Sequence, residues 1–206
     1  MMSVLASLNG WLAKPVHQLI VPAVAVSDRG STVHLRLCDG HAVVVPQNLL
    51  RPSTPAEEPR EVQKKSVTLR LSDLVAPDEA DFLYRLVSVA LRLATFVRAG
   101  SPGPRPTQHR DPVSDRAVQF VLHPSDFKPS KGEGKQHLVS FRGLWTIAVP
   151  TSLLDVEQIT TARAGELLGY RVSFKPTSQL ASVLNQLVRL ITELIGEVQL
   201  SANVPA

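Results

Sequence analysis

The sequence predicts an α+β protein made of two tandem ββββα units, each an antiparallel four-stranded sheet followed by one long helix. Two hairpin-like stretches, HLRLCDGHAVVVPQNLL (34–50) and HLVSFRGLWTIAVPTSLL (137–154), share a His-Leu start, a central Gly and a Val-Pro-x-x-Leu-Leu end. Each is followed by an alternating strand pattern and then by a helical apolar pattern, and a Pro-rich segment separates the two sets. The repeated order is the reason for predicting two similar units.

The first unit is expected at residues 19–100. Asp39 and Gly40 are typical of a tight hairpin turn, because both central positions of such a turn favour a positive φ. Pro77 and the acidic residues after it are typical of a helix start, and Gly100 of a helix end. Its four strands are expected at 19–28, 31–38, 41–45 and 64–73, where apolar or alternating residues lie between turn signals.

The second unit is expected at residues 116–200, after a Pro-rich linker at 101–115, while residues 1–18 are expected to form a short helical segment. A longer connection with a helical turn is expected at 155–169. Strands are expected at 117–123, 136–141, 144–149 and 170–175, and the helix begins at Pro176.

Three pairs of landmarks recur in the same order at a nearly constant spacing of roughly one hundred residues. The pairs are His34 with His137, Val45 with Val149, and Val67 with Val172. This recurrence predicts an internal duplication. The alternative is two unrelated hairpins within an ordinary α+β domain.

Both predicted helices are apolar over a wide arc, and Leu187, Val188, Leu190 and Ile191 nearly encircle the second one. One sheet covers a helix on a single side, so such a helix needs a further apolar partner. The two units are therefore expected to pack as a pseudo-dimer, with further homo- or hetero-oligomerisation through the helices. Polar and cationic sheet faces would then remain exposed.

The bulk composition sets limits on partners and compartment. Lys and Arg number 22 against 18 Asp and Glu, a mildly basic balance that permits a polyanionic partner. A single cysteine excludes a disulfide framework within the chain, which predicts an intracellular location, either cytoplasmic or organellar with the mitochondrial matrix included. No apolar run reaches the ~20 residues of a membrane span.

No catalytic or metal constellation is evident, so a non-enzymatic protein without metal or cofactor is predicted. The histidines show neither His-x-x-x-His spacing nor a Cys-x-x-Cys neighbour. Phosphate-binding P-loop and dinucleotide fingerprints are absent from the sequence. Cys38 lies in a predicted strand without a neighbouring base that would activate it.

Cationic strand faces and a basic loop that carries Lys128 favour single-stranded nucleic acid, because Lys and Arg bind phosphates and exposed aromatic rings stack on bases. The stretches KKSVTLRLSDLVAPDEADFLYRLVSVAL (64–91), YRVSFKPTSQLASVLNQLVRLITELIG (170–196) and KGEGKQHL (131–138) carry a resemblance. The doubled ββββα order resembles the single-stranded nucleic-acid-binding superfamily of Whirly proteins, Pur-repeat proteins and kinetoplastid mitochondrial guide-RNA-binding proteins.

The resemblance implies an oligomeric RNA- or DNA-binding factor, with RNA favoured, that acts in RNA processing or in a ribonucleoprotein. In those families the sheet faces and hairpins bind the strand and the subunits assemble through their helices. The nucleic-acid-binding residues expected here are Arg36, Arg70, Lys131, Lys135, Arg142, Trp145, Arg171 and Lys175.

Two alternative functions share these features. A viral or phage coat subunit also pairs antiparallel sheets capped by helices, and Pro-rich connectors with modest charge suit a shell protein. A non-catalytic scaffold subunit of a ribonucleoprotein complex would keep the fold and bind protein instead.

Overall fold

The structure is a computed structural model that describes residues 19–22, 26–51, 66–73, 75–99, 112–130, 135–141 and 145–202. The predicted N-terminal helical segment and most of the predicted linker lie outside these ranges. The elements of the first half are β1 (Leu19–Pro22), β2 (Val26–Arg29), β3 (Thr32–Arg36), β4 (Ala42–Pro46), β5 (Leu50–Arg51), β6 (Ser66–Leu71) and α1 (Pro77–Ala99).

The second half has the same succession of elements. These are β7 (Gln119–Leu122), β8 (Phe127–Lys128), β9 (Gln136–Phe141), β10 (Trp145–Pro150), β11 (Leu154–Thr160), β12 (Leu167–Phe174) and α2 (Ala181–Ala202).

The described residues of each half form two antiparallel three-stranded sheets with the same topology. In the first half the strand orders are β1-β6-β5 and β2-β3-β4, and in the second half they are β7-β12-β11 and β8-β9-β10. In both, the first, sixth and fifth strands form one sheet and the second, third and fourth form the other. The α+β class is therefore confirmed, but the prediction of one four-stranded sheet per ββββα unit is wrong.

The repeated Val-Pro-x-x-Leu-Leu motif explains the error, because it forms a corner where the chain leaves one sheet and enters the other. Pro46 ends β4 and Pro150 ends β10; proline has no N–H to continue the ladder. The first Leu of each motif, Leu49 or Leu153, is almost fully buried and fills the corner. The next residue begins a strand of the other sheet. The strands that follow the two corners, β5 and β11, are therefore absent from the predicted order.

Backbone hydrogen bonds hold the two corners in matching ways. In each half, one bond joins the corner to the residue before β3 or β9, which is the middle strand of its sheet. A second bond joins the residue after β6 or β12 to the corner. In the first half, Gln47 N donates to Ser31 O (2.9 Å) and Ser72 N donates to Leu49 O (2.8 Å). In the second half, Thr151 N donates to Lys135 O (3.0 Å) and Lys175 N donates to Leu153 O (2.9 Å).

The pairing register defines which residues of the halves correspond. Thr32 lies opposite Pro46 as Gln136 lies opposite Pro150, so the counterpart of His137 is the residue after Thr32, namely Val33. The landmark that pairs His34 with His137 is therefore wrong by one residue. The corner bonds likewise place Leu69, rather than Val67, at the position of Val172. The pair Val45 and Val149 is correct.

The predicted connection at 155–169 is also wrong, because most of it is strand. β11 and β12 pair directly in an antiparallel hairpin. Its turn is closed by Thr161 N donating to Glu166 O (2.9 Å), and Gly165 has a φ of +63°. A left-handed φ of this kind favours glycine.

Helix α1 begins at Pro77 as predicted, with Asp78 and Glu79 in its first turn. The second helix begins at Ala181 instead of Pro176, because hydrogen-bonded turns occupy the residues between. Neither of these two described helices has an apolar stretch of the length and purity that a membrane crossing requires.

The helices join the two halves. They pack against each other, and each also contacts the β-strand before the corner of the opposite half, α1 on β10 and α2 on β4. The most deeply buried leucines of α2 are in this shared core, namely Leu184, Leu187, Leu190 and Leu194. Burial of this apolar area is the main stabilising contribution to the association of the halves.

A buried amide adds a specific contact between the halves. The side-chain oxygen of Gln186 on α2 accepts a hydrogen bond from Val44 N (2.8 Å), and its nitrogen donates to Val44 O (3.0 Å). Val44 lies on β4, an edge strand of its sheet. The amide therefore satisfies both backbone groups that this residue directs away from β3.

Candidate nucleic-acid interface

The predicted binding residues of the first half are not on an open face. Arg36 is the last residue of β3 and Arg70 lies on β6, and both side chains are half-buried. Arg70 acts electrostatically on Tyr84 of α1, whose hydroxyl accepts a hydrogen bond from Leu71 N (2.6 Å). Burial nevertheless raises the pKa of Tyr84.

Arg171 is exposed as the strand alternation predicts, but it is paired with a carboxylate. Its Nη1 lies 2.7 Å from Oε2 of Glu157, the residue directly opposite on β11. Asp155 is exposed on the same strand. The outer face of the β11–β12–β7 sheet therefore combines positive and negative charge, and a phosphate there would compete with Glu157 for the guanidinium.

Lys131 and Arg142 lie outside the described residues. The backbone of Trp145 is described, and this residue begins β10 opposite Phe141.

Three lysines of the second half remain, and we call them the basic corner: Lys128, Lys135 and Lys175. Lys128 ends β8, and Lys135 comes immediately before β9; both are exposed. Neither forms an ion pair with any residue that the structure describes. Lys175 follows β12, is half-buried, and its Nζ donates to Thr151 O at 3.1 Å.

Lys128 shares the outer face of the β8–β9–β10 sheet with exposed polar and apolar residues. Gln136, Leu138 and Thr146 are exposed, and the hydroxyls of Ser140 and Thr146 are 2.9 Å apart. Lys128 lies opposite Leu138 in the register. The face thus offers positive charge, hydrogen-bonding groups and one apolar side chain.

A buried histidine lies beneath the basic corner. Nδ1 of His137 accepts a hydrogen bond from Ser130 N at 3.1 Å, and the ring packs on Phe127 with centroids 5.2 Å apart. Burial, and then the nearby charge of Lys175, lower the pKa of His137. This neutral imidazole holds the backbone that leads from β8 towards Lys135.

One carboxylate enters the region from the other half. Ser152 Oγ, at the corner, donates a hydrogen bond to Glu79 Oε1 on α1. This bond joins the second-half corner to the first-half helix.

The sequence analysis missed a second buried histidine contact. His41 Nδ1 lies 2.7 Å from Asp39 Oδ2, and its Nε2 lies 3.6 Å from Glu193 Oε2 on α2. Glu193 is distant in sequence, so no local spacing predicts this neighbour. Among the described residues, no group of three or more His, Cys, Asp or Glu side chains is arranged to hold a metal ion.

Of the predicted binding residues, the structure therefore brings Lys135 and Lys175 together at one corner, and it adds Lys128, which the predicted set omits. Arg36, Arg70 and Arg171 lie on other strands. Comparisons of the chain with protein-family models, with curated proteins and with solved structures find no match, so the resemblance to the Whirly and Pur-repeat superfamily stays a prediction.

Proposed function

We propose that the chain is a non-enzymatic factor that binds single-stranded nucleic acid, preferably RNA, within an oligomer or a ribonucleoprotein, and that the basic corner is its binding site. The observation that carries this proposal is the exposure of Lys128 and Lys135 without an ion pair to a described residue. Lys175 adds a third ammonium group beside Thr151.

Such lysines suit phosphate binding, because a phosphate would displace no carboxylate of the described residues from them. Each phosphate that a lysine neutralises releases condensed counterions, which provides affinity that depends on salt. Arg171 lacks this advantage, since its guanidinium already binds Glu157.

The surface around the lysines favours a single strand over a duplex. Unstacked bases present their edges and faces to protein, whereas the bases of a duplex are stacked and paired. Gln136 and Thr146 provide hydrogen-bonding groups for base edges, and exposed Leu138 provides an apolar contact. The combination fits a strand whose backbone contacts the lysines and whose bases contact the sheet.

The test is a charge reversal at the two exposed lysines, Lys128→Glu with Lys135→Glu. We expect the affinity for a labelled single strand of about 20 nucleotides to fall, and the slope of log K against log salt to become less negative by about 1.4, because each lost phosphate contact removes about 0.7. Fluorescence anisotropy at several salt concentrations, with RNA and DNA strands of the same sequence, measures both quantities.

The matched control is Arg98→Glu with Arg163→Glu, which changes the net charge equally at two exposed positions outside the basic corner. This variant should keep the wild-type salt slope. An equal loss of affinity in both variants would contradict the site, and failure of the wild-type protein to bind any strand at low salt would contradict the function. Large closed particles formed without nucleic acid would instead favour a coat subunit.

A further inference from the structure

The two halves differ in charge at equivalent positions of their corners. Because the halves share one topology and one pairing register, each lysine of the basic corner has a definite counterpart in the first half. All three counterparts are serines: Ser27 corresponds to Lys128, Ser31 to Lys135 and Ser72 to Lys175.

Backbone pairing establishes each correspondence independently of sequence similarity. Ser27 lies opposite the third residue of the middle strand, His34, as Lys128 lies opposite Leu138. The carbonyls of Ser31 and Lys135 each accept the bond from the corner, and the amides of Ser72 and Lys175 each donate into it. The exchange of serine for lysine is therefore a difference in side chains on a common backbone frame.

The first half also uses the outer edge of β4, the strand that ends at its corner, for contacts within the chain. Gln186 binds both backbone groups of Val44, and Val113 N donates to Ala42 O at 3.1 Å. Both contacts occupy β4, the counterpart of β10. The first half thus carries no lysine at its corner and has the adjacent strand edge covered by the rest of the chain.

We infer that strand binding is one-sided: the second half holds a single site for a phosphodiester backbone, and the first half is its structural counterpart without the three corner lysines. This inference rests on the proposed function and deepens it. A pseudo-dimer with two equivalent sites would bind two strands for each chain. The serine and lysine pattern predicts that this chain binds one.

The test exchanges the corner residues between the halves. Lys128→Ser with Lys135→Ser gives the second half the residues of the first, and Ser27→Lys with Ser31→Lys gives the first half those of the second. Both variants leave Ser72 and Lys175 unchanged, because Lys175 makes a side-chain hydrogen bond that stabilises the corner. Circular dichroism and urea unfolding confirm that each variant folds.

Native mass spectrometry with an oligonucleotide of about 8 nucleotides counts bound strands, and anisotropy gives the salt dependence. We expect one strand per wild-type chain. In the lysine-to-serine variant, the loss of affinity between 50 and 200 mM salt should shrink about sevenfold, which corresponds to two lost phosphate contacts. The serine-to-lysine variant should gain a second, weaker site.

The outcomes separate this inference from the proposed function. Two equivalent strands on each wild-type chain would overturn the inference and leave the function intact. The inference would also be overturned, with the function intact, if the lysine-to-serine variant kept its affinity while a Ser27→Glu, Ser31→Glu variant bound the strand more weakly. A wild-type chain that binds no strand at all would overturn the function and the inference together.

Discussion

His137 is held in its neutral form by its surroundings. Ser130 N donates to Nδ1, so this nitrogen carries no proton and the imidazole proton is on Nε2. The side chain is 6% exposed and packs on Phe127, and the charge of Lys175 further disfavours a second positive charge. Protonation of Nδ1 would replace an accepted hydrogen bond by a contact between two donors.

This environment predicts that acid destabilises the protein. The pKa of His137 is lowered in the folded state, so below the unfolded value of about 6.5 the unfolded chain binds more protons than the folded one. The free energy of unfolding should therefore fall as the pH drops below about 6.5, by at most about 1.4 kcal/mol per pH unit for this one proton. Urea unfolding at several pH values measures the slope.

Two variants isolate the contribution of His137 to that slope. His137→Gln keeps a hydrogen-bond acceptor without a titrating ring, so it should lower stability at pH 7 and flatten the pH dependence. His123→Gln is the control, because His123 is exposed and its Nδ1 bonds Ser125 within the same turn. Equal slopes in the wild type and His137→Gln would show that His137 is not the group that titrates.

At the scale of the element, the corner is the unit that the halves repeat. Leu49 is 1% exposed and Leu153 is 0% exposed, and both belong to the shared core. We predict that Leu49→Ala and Leu153→Ala each lower the free energy of unfolding by about 2–5 kcal/mol, because each deletes buried atoms and leaves a cavity at the junction of two sheets. Chemical denaturation of the two variants checks this.

The control for the corner is Leu138→Ala on β9. Leu138 is 40% exposed, so its truncation should cost clearly less than either corner substitution. Costs of similar size at Leu138 and Leu153 would contradict the view that the corner, rather than general apolar content, stabilises this part of the fold.

The sequence predicts elements whose signals are local. A turn forms where Asp39 and Gly40 predict one, but its loop is one residue longer than expected: Leu37 N donates to His41 O, Gly40 N donates to Leu37 O, and Gly40 has a φ of +94°. The bend at Val-Pro-x-x-Leu-Leu could not be predicted, because a proline after a strand is equally typical of a strand that ends in a loop and of a chain that turns into a second sheet. The role of the buried leucine, which is to fill the corner between two sheets, becomes evident only from the positions of both sheets.

For the candidate site, the sequence predicts the exposure of single side chains but not their partners. Alternation correctly indicates that Arg171 is exposed, but its partner Glu157 lies in a stretch that the sequence does not identify as strand. The sequence places Lys128 and Lys135 in one basic loop, whereas Lys175 is distant along the chain. Their common place, and their serine counterparts in the first half, follow only from the pairing register.

At the scale of the whole molecule, the exchange of helix contacts makes the halves mutually dependent. Helix α1 contacts β10 and helix α2 contacts β4, so each half covers part of the other. Ser152 with Glu79, and His41 with Glu193, are further contacts across the same boundary. We therefore expect the two halves to unfold in one cooperative transition.

Gln186→Leu tests this cooperativity. The substitution keeps the approximate volume of a side chain that is 2% exposed, but it removes the partners of Val44 N and Val44 O. Each unsatisfied buried group should cost about 1–3 kcal/mol. Hydrogen exchange should show the same loss of protection for the slowest amides of β3 and of β12, because both exchange through global unfolding.

The control for this prediction is Gln158→Leu, at an exposed position on β11, which should leave these exchange rates unchanged. Faster exchange confined to β3 and β4 would mean that the halves open separately, in which case the helix contacts do not couple them.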